Sequence, residues 1–347
     1  QVFFVADAAV SGPMADDEVH FAFSDNNIFG IFPLKRRDNW RLIGVVPQTV
    51  KKELHEIAYD DVAGQVHRDS GLSASRVNWF STYHVHHRVA ASFRKGRVFL
   101  LGDAGHIHSP AGGQGMNTGI GDAANLAWKL AAVLQRRAAL ALLDSYPAER
   151  LAAAQRIVRT TDRIFSFQVS PSWLMRAARR WLTPLMPALM GVGRVRHFVF
   201  RTISQIAFEY RRSPVSAGVA GSVYAGDRLP WVSYADRDNY ASLRSLDWQV
   251  HVYGKAPGEV RAVCAEAGLE HQEFPWAEAA RAARLERDAL YLVRPDGYVG
   301  LAAAKRDSAA LTDYLSRLQL RPRAPGASAA APLTAIPGYT AHTTRQP

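Results

Sequence analysis

Residues 96–122 read GRVFLLGDAGHIHSPAGGQGMNTGIGD, and this stretch decides the fold. The run Arg97 to Leu101 has the length and composition of a short buried strand, and it ends directly in Gly102-Asp103. A carboxylate at the C-terminal edge of a strand, beside a residue with no side chain, stands where α/β sheets receive ligands. The glycine-rich loop Ala111 to Gly119 then leads to a buried helix, expected over Asp122 to Leu134 from Ala, Leu and Trp128 at helical spacing. Such a turn presents unpaired N–H groups at the positive end of the helix dipole, which suits an anion or an electron-rich carbonyl oxygen. Gly112 to Asn117 are the expected donors, and Asp103 is the expected acceptor for a hydroxyl group.

Upstream, the β-rich runs Val2 to Ala6, Val19 to Phe23, Ile28 to Phe32 and Trp40 to Val46 are separated by turn compositions and predict an antiparallel sheet. Val19, Phe21 and Phe23 alternate with Glu18, His20 and Ala22, which assigns the three apolar residues to the covered face. A helix is expected near Gln48 to Asp60 and a long strand near Arg76 to Val89. Downstream, Leu140 to Tyr210 reads as helices broken at Pro147, Pro171, Pro184 and Pro187. A small α/β domain follows. Its strands are Trp248 to Tyr253, Leu290 to Val293 and Tyr298 to Ala302, its helices Pro257 to Ala267 and Ser308 to Leu318, and Asp296-Gly297 is a hairpin turn. From about Arg321 the Pro, Ala, Ser and Thr content reads as a flexible tail. The fold class is therefore mixed, α/β and α+β.

Among the 347 residues, 48% are hydrophobic and 21% charged, the balance of a globular chain. The net charge of +11 is concentrated: between Arg150 and Arg212, twelve arginines face only Asp162 and Glu209, leaving +10 in that segment. A solvated helical face explains it more simply than nucleic acid, since no lysine-rich tail is present. Single Cys264 excludes an internal disulfide, a Cys-x-x-Cys redox pair and a thiolate zinc cage, and fits a reducing, cytoplasmic setting. Neither a signal-peptide pattern nor a run of about 18 uncharged apolar residues occurs. No P-loop, Gly-x-Ser-x-Gly elbow or His-Glu-x-x-His supports another enzyme class.

The opening segment closely resembles the second flavin-binding motif of the class A flavoprotein monooxygenases, the family of para-hydroxybenzoate hydroxylase and phenol hydroxylase. That pattern is Gly-Asp-Ala-Ala-His, two residues, Pro, then Gly-Gln-Gly-x-Asn; here Gly105 replaces the second Ala and three residues, Ile107 to Ser109, precede Pro110. Gly30-Ile-Phe-Pro-Leu34, Trp40 to Gly44, Trp128 to Ala131 and Tyr146 to Arg150 resemble the family's substrate strands and helices. Ala225 to Pro230 and Leu292 to Gly297 resemble the thioredoxin-like domain of the phenol hydroxylase branch.

The resemblance implies a division into a substrate-binding sheet region (1–95), the second half of an FAD domain (96–150), a helical segment (151–212), a thioredoxin-like domain (213–320) and a tail (321–347). It implies FAD as cofactor and NAD(P)H as reductant, with an aromatic substrate hydroxylated by oxygen through a flavin hydroperoxide. Asp103 would bond to the ribityl chain, Pro110 would sit near the reactive edge of the isoalloxazine, and the amides around Gly115, Met116 and Asn117 would face its pyrimidine carbonyl, with Gly102, Gly113 and Gln114 as further cofactor-binding residues. Phe21, Phe23, Phe32 and Trp79 are the residues expected to wall a substrate pocket. No Gly-x-Gly-x-x-Gly stands before Gly102-Asp103. The dinucleotide-binding half is thus expected to precede Gln1, and the chain alone is expected to bind FAD weakly or not at all. No catalytic acid or base is assigned; Tyr83, His84 and His20 all qualify.

Three rival readings follow from other residues. His84-x-His86-His87 and His106-x-His108 place imidazoles on shared strand faces, the beginning of a metal site, but no acidic ligand stands beside them and none is assigned. Arginines interleaved with Trp173, Trp181, Phe198 and Phe200 suit an anionic membrane surface; packing within the protein or in a homodimer is the simpler use. The third reading is a non-catalytic interaction module.

Overall fold

The computed structural model describes residues 2–11, 18–24, 27–35, 39–108, 113–170, 172–182, 185–304 and 307–322. Two compact units form: one from residues 1–126 and 146–208, the other from 127–145 and 209–347.

In the first unit, β1 (Val2–Ser11), β2 (His20–Ser24), β3 (Asn27–Pro33), β4 (Asn39–Val45) and β5 (Ser73–His84) make an antiparallel sheet ordered β2-β3-β4-β1-β5. The pleat sends Phe4, Ala6, Ala8, Val10, Phe29, Ile31, Trp40 and Leu42 into one core with Val62 and Val66 of α1 (Tyr59–Ser70). Each fully buried Val, Leu, Ile or Phe there contributes about 1.5–3 kcal/mol. Ala22 packs against that core, and the His20 ring lies 6.0 Å from Trp40. Phe21 is 53% exposed and Val19 is exposed too, so the row expected on the covered face occupies the open one. The cause is the position of α1, which covers the opposite side of the pleat.

Helix α1 begins at Tyr59, not near Gln48. Asp60 and Asp61 stand in its first turn, where carboxylates favour the dipole, and Asp61 accepts the Ala58 N–H at 2.9 Å. Strand β5 stops at His84 rather than Val89. Residues Arg88–Val89 form β6, paired with β9 (His106–Ile107), and Arg94–Lys95 (β7) pairs with Val98–Phe99 (β8). The expected buried strand at Arg97 to Leu101 is this short ribbon, with Val98 64% exposed, because two residues on each side make a ladder too small to cover it.

Helix α2 (Gly115–Leu134) starts inside the glycine-rich motif rather than at Asp122. Glycines lower helix propensity, so the motif reads as a turn. Their absent side chains permit close approach instead: a Cβ on Gly119 would lie 3.4 Å from Gly102 Cα, and one on Gly121 would lie 3.1 Å from Arg150 Nη2. Helices α3 (Ser145–Val169), α4 (Trp173–Leu182), α5 (Met186–Gly191) and α6 (Gly193–Ile203) follow. Pro147 and Pro187 lie in first turns, where the ring is tolerated, so they begin helices rather than break them.

The second unit carries β10 (Ala217–Ala220), β11 (Val223–Tyr224), β12 (Gln249–Tyr253), α7 (Gly258–Ala267), β13 (Glu270–Phe274), α8 (Glu278–Ala282), β14 (Leu290–Val293), β15 (Val299–Ala303) and α9 (Ser308–Leu318). Its sheet is ordered β11-β10-β15-β14-β12-β13. Strands β12 and β13 run parallel across α7, whereas β14 is antiparallel to both β12 and β15. Val250, Val252, Leu292 and Leu301 pack with Val260 and Cys264 of α7 and Leu311 and Leu315 of α9. Tyr253, Tyr291, Val293 and Val299 form the core on the opposite face. At the expected hairpin turn, Gly297 takes a left-handed φ of 77° and its N–H donates to Arg294 O. The expected tail falls, from residue 323 onward, outside the described residues.

Wholly buried Arg294 is the polar centre of this unit. Its Nε and Nη2 donate to the two carboxylate oxygens of Asp296 at 2.9 and 2.6 Å. The guanidinium also lies 5.2, 5.5 and 5.6 Å from the rings of Trp128, Tyr210 and Tyr298, and Trp128 Nε1 donates to Asp296 at 3.1 Å. Cation–π contact and a bidentate carboxylate together replace the water this charge gave up.

Candidate functional site

Gly102, Asp103 and Ala104 form one turn of 3-10 helix. Gly102 has a left-handed φ of 57°, which a side chain would resist, and its N–H donates to Asp122 Oδ2 at 2.9 Å. The same oxygen meets His106 Nε2 at 2.8 Å, and Oδ1 accepts from Arg150 Nε at 2.6 Å. Burial alone would push the Asp122 carboxyl upward; the His106 bond, the Arg150 charge and the Gly102 N–H outweigh it and hold the group below its ordinary range. His106 is thereby a structural member of the loop. Arg150 Nη2 also donates to Thr118 O, tying α3 to the first turns of α2.

This buried network fixes the turn while leaving other groups of the motif exposed. Asp103 and Asn117 are exposed, and Met116 is 74% exposed. The first-turn amides of α2 have no partner within the helix. Gly113, with φ 62°, has open space where a Cβ would stand. Gln114 precedes the helix and is held by Gln205, whose Nε2 lies 3.0 Å from Gln114 O and 2.7 Å from Gln114 Oε1. Gly102 and Asp103 are therefore brought against α2, with Gly113 to Asn117 at its N-terminus. Pro110 and Gly112 lie outside the described residues. An exposed carboxylate beside an amide-rich turn without obstructing side chains fits the polyol chain and electron-rich carbonyl edge of a flavin.

A second group lies on the open face of the five-stranded sheet. Phe21 and Phe32 meet edge to face, centroids 5.9 Å apart, and a Cβ on Gly30 would reach within 2.8 Å of the Phe32 ring. Gly30 makes that aromatic pair possible. Register continues the row through Phe32, Arg41, Asp7 and Trp79, the last 50% exposed. The side chain of Phe23 lies outside the described residues. Arg41 grips Asp7 with Nε and Nη2 at 2.8 and 2.9 Å, and this bond, opposed by partial burial and aided by the Asp7 charge, raises the arginine further. Sequence reading missed this pair, although antiparallel pairing of β1 with β4 is the signal that places Asp7 opposite Arg41.

Other candidates separate. Rings of His84 and His86 stand 6.1 Å apart while His87 pairs with Asp162. Among the described residues, no group of three His, Cys, Asp or Glu side chains converges as a metal site, and no helix is long and apolar enough to cross a membrane.

Comparison with known proteins adds independent findings. Residues 2–161 match the family model described as FAD binding domain. The 6-methylpretetramide 4-monooxygenase of Streptomyces rimosus is 30% identical over 363 residues, covering 94% of this chain and 64% of the relative. The solved structure of an anhydrotetracycline hydroxylase from Streptomyces rimosus superposes with a TM-score of 0.66 at 26% identity, covering 91% of this chain and 63% of that one. An aromatic hydroxylase from angucycline biosynthesis gives 0.68 at 27% identity, with 91% and 63% covered. The chain thus spans somewhat less than two thirds of these relatives' length.

Proposed function

We propose that this chain, whose residues 2–161 match the family model described as FAD binding domain, is part of an NAD(P)H-consuming monooxygenase that hydroxylates a phenolic or polyketide-like aromatic substrate. One observation carries the reading: the Asp122 network holds Gly102-Asp103 against the glycine-opened start of α2 while Asp103 and Asn117 stay exposed. The monooxygenase and hydroxylase relatives support the same class.

Bound FAD would supply the reductive activation of oxygen. Asp103 accepts a hydroxyl bond from its ribityl chain, and the amides of Gly115 to Asn117 stabilise negative charge on its pyrimidine edge. Phe21, Phe32 and Trp79 exclude water from the substrate ring. Arg41, oriented by Asp7 and permanently charged, offers a substrate oxygen the Nη1 group that the ion pair leaves unused. The segment β12-α7-β13-α8-β14-β15-α9, with strands ordered β13-β12-β14-β15, supports a thioredoxin-like domain within 213–320; the lone, buried Cys264 makes it a structural one. The partners are small molecules, in a reducing compartment.

The test is a visible absorption titration with FAD, on the 347-residue chain and on the protein of its complete reading frame, each beside Asp103→Ala. Flavin bands that survive desalting in the parent protein and weaken with Asp103→Ala support the assignment. Absence of flavin from both parents sinks the enzyme reading and favours an interaction module.

A further inference from the structure

The amide of Gln205 is bonded to the peptide that leads into α2. Gln205 follows α6 and has a left-handed backbone, φ 55°, uncommon for a residue with a side chain. Its Nε2 reaches Gln114 O at 3.0 Å, Gln114 Oε1 at 2.7 Å and Thr118 Oγ1 at 2.9 Å. In return, Gln114 Nε2 donates to Ile203 O at 3.1 Å. Thr118, wholly buried, donates its own N–H and hydroxyl to Gln114 O at 3.0 and 2.7 Å.

Gln114 O therefore receives three donors, two from α2 itself and one from Gln205. A peptide unit is planar, so its C=O and the following N–H move as one body. Holding Gln114 O fixes the direction of the Gly115 N–H, the first donor that the helix offers outward. The two Thr118 bonds come from the same helix and turn with it. Gln205, by contrast, donates to Gln114 O from outside α2, and so refers the turn to a support beyond the helix.

We propose that Gln205 is a positioning residue for the flavin: by clamping the Gln114–Gly115 peptide, it preorganises the amide turn that receives the negative pyrimidine edge. This rests on the FAD reading above. Positioning of this kind acts more on reduced than on oxidised flavin, because reduction is what places negative charge there.

The test uses Gln205→Gly, which accepts the left-handed backbone and removes the whole side chain, beside Gln205→Asn, which also tolerates that backbone and keeps the amide but is one methylene short. Both are made in the flavin-binding form of the protein. Oxidised FAD is expected to bind severalfold more weakly in both variants. Reduced FAD should lose about tenfold more, lowering the two-electron potential by about 30 mV. Amide hydrogen exchange at residues 114–118 of the unliganded protein should accelerate, while the unfolding midpoint stays at the parental value.

A flavin potential and exchange rates equal to the parent's overturn the proposal, as does an equal loss for both oxidation states, which marks a purely structural bond. Failure of the parent to bind FAD in either form removes the FAD reading and this role with it. A parent that binds FAD with variants that match it removes the role of Gln205 alone.

Discussion

Arg150 Nε donates to Asp122 Oδ1 at 2.6 Å with both side chains buried, so an ion pair shut off from water stands beneath the turn that carries exposed Asp103. Its use is geometric: the carboxylate has one oxygen for Arg150 and the other for Gly102 N–H and His106.

Asp122→Asn should expose that dependence. It leaves a buried guanidinium without its counter-charge, and about 3 kcal/mol of stability is expected to go, read as a lower urea midpoint. The carboxyl is held below its ordinary value of 3.8, so its contribution is full above that pH and drains as the pH falls below it. Acid titration of the parent should show this component and the Asn variant should lack it. An unchanged urea midpoint contradicts the network as drawn.

Arg41 is expected to govern substrate affinity rather than folding. Arg41 and Asp7 are partly exposed, and such pairs contribute about 0.2–1 kcal/mol. Arg41→Met should therefore melt within a degree or two of the parent yet raise KM for a phenolic substrate roughly tenfold, with the smaller change in kcat. Equal KM values for parent and variant would remove Arg41 from the pocket.

In the second unit, Asp296→Ala strands Arg294 in its aromatic cage, with an expected loss of about 3–5 kcal/mol. Arg294→Met with Asp296→Leu removes both charges and should recover most of that loss. Denaturation followed by tryptophan emission checks it, since Trp128 touches both groups. A double variant as unstable as Asp296→Ala would mean that packing, not the buried charge, is at stake.

His251 gives the same unit a pH dependence of opposite origin. Burial lowers its pKa from 6.5 to about 3, so the folded unit keeps it neutral while the unfolded chain protonates it. Stability from this residue is full above pH 6.5 and declines as the pH drops toward 3, by at most about 1.4 kcal/mol per pH unit. Its ring nitrogen Nε2 lies 3.0 Å from Gln249 Oε1 and 3.3 Å from Ser242 Oγ. His251→Gln should flatten the slope between pH 6.5 and 4.5; a slope as steep as the parent's assigns the acid sensitivity elsewhere.

Much of the second unit was legible because its elements bury apolar faces between plain turn signals. Leu290–Val293 and Ser308–Leu318 stand where their patterns place them. Strand β13 escaped, since Glu270-His-Gln-Glu-Phe274 is an edge strand of mostly half-buried polar residues and so carries no apolar alternation. In the first unit, the motif announced its chemistry but not its shape. Glycines that lower helix propensity in a chain by itself are admitted into α2 here because Gly102 and Arg150 occupy the space their side chains would need. Pairs such as Gln205 with Gln114 join distant segments through single polar bonds, and single polar bonds leave no periodic trace. The orientation of Phe21 was misread for a related reason: alternation tells two faces apart but does not say which one a helix will cover.

The five-stranded sheet also separates what can vary from what cannot. Along β1, β3 and β4, one residue in two is wedged into the core and the next stands on the uncovered side. Replacing Phe4, Ala6 or Leu42 disturbs a packed interior, whereas replacing Phe32, Arg41 or Asp7 leaves that interior in place and changes the uncovered side. Changes at alternate positions can therefore remodel the uncovered face while the core beneath it stays packed. The pleat that builds the domain is also what leaves its outer face free to vary.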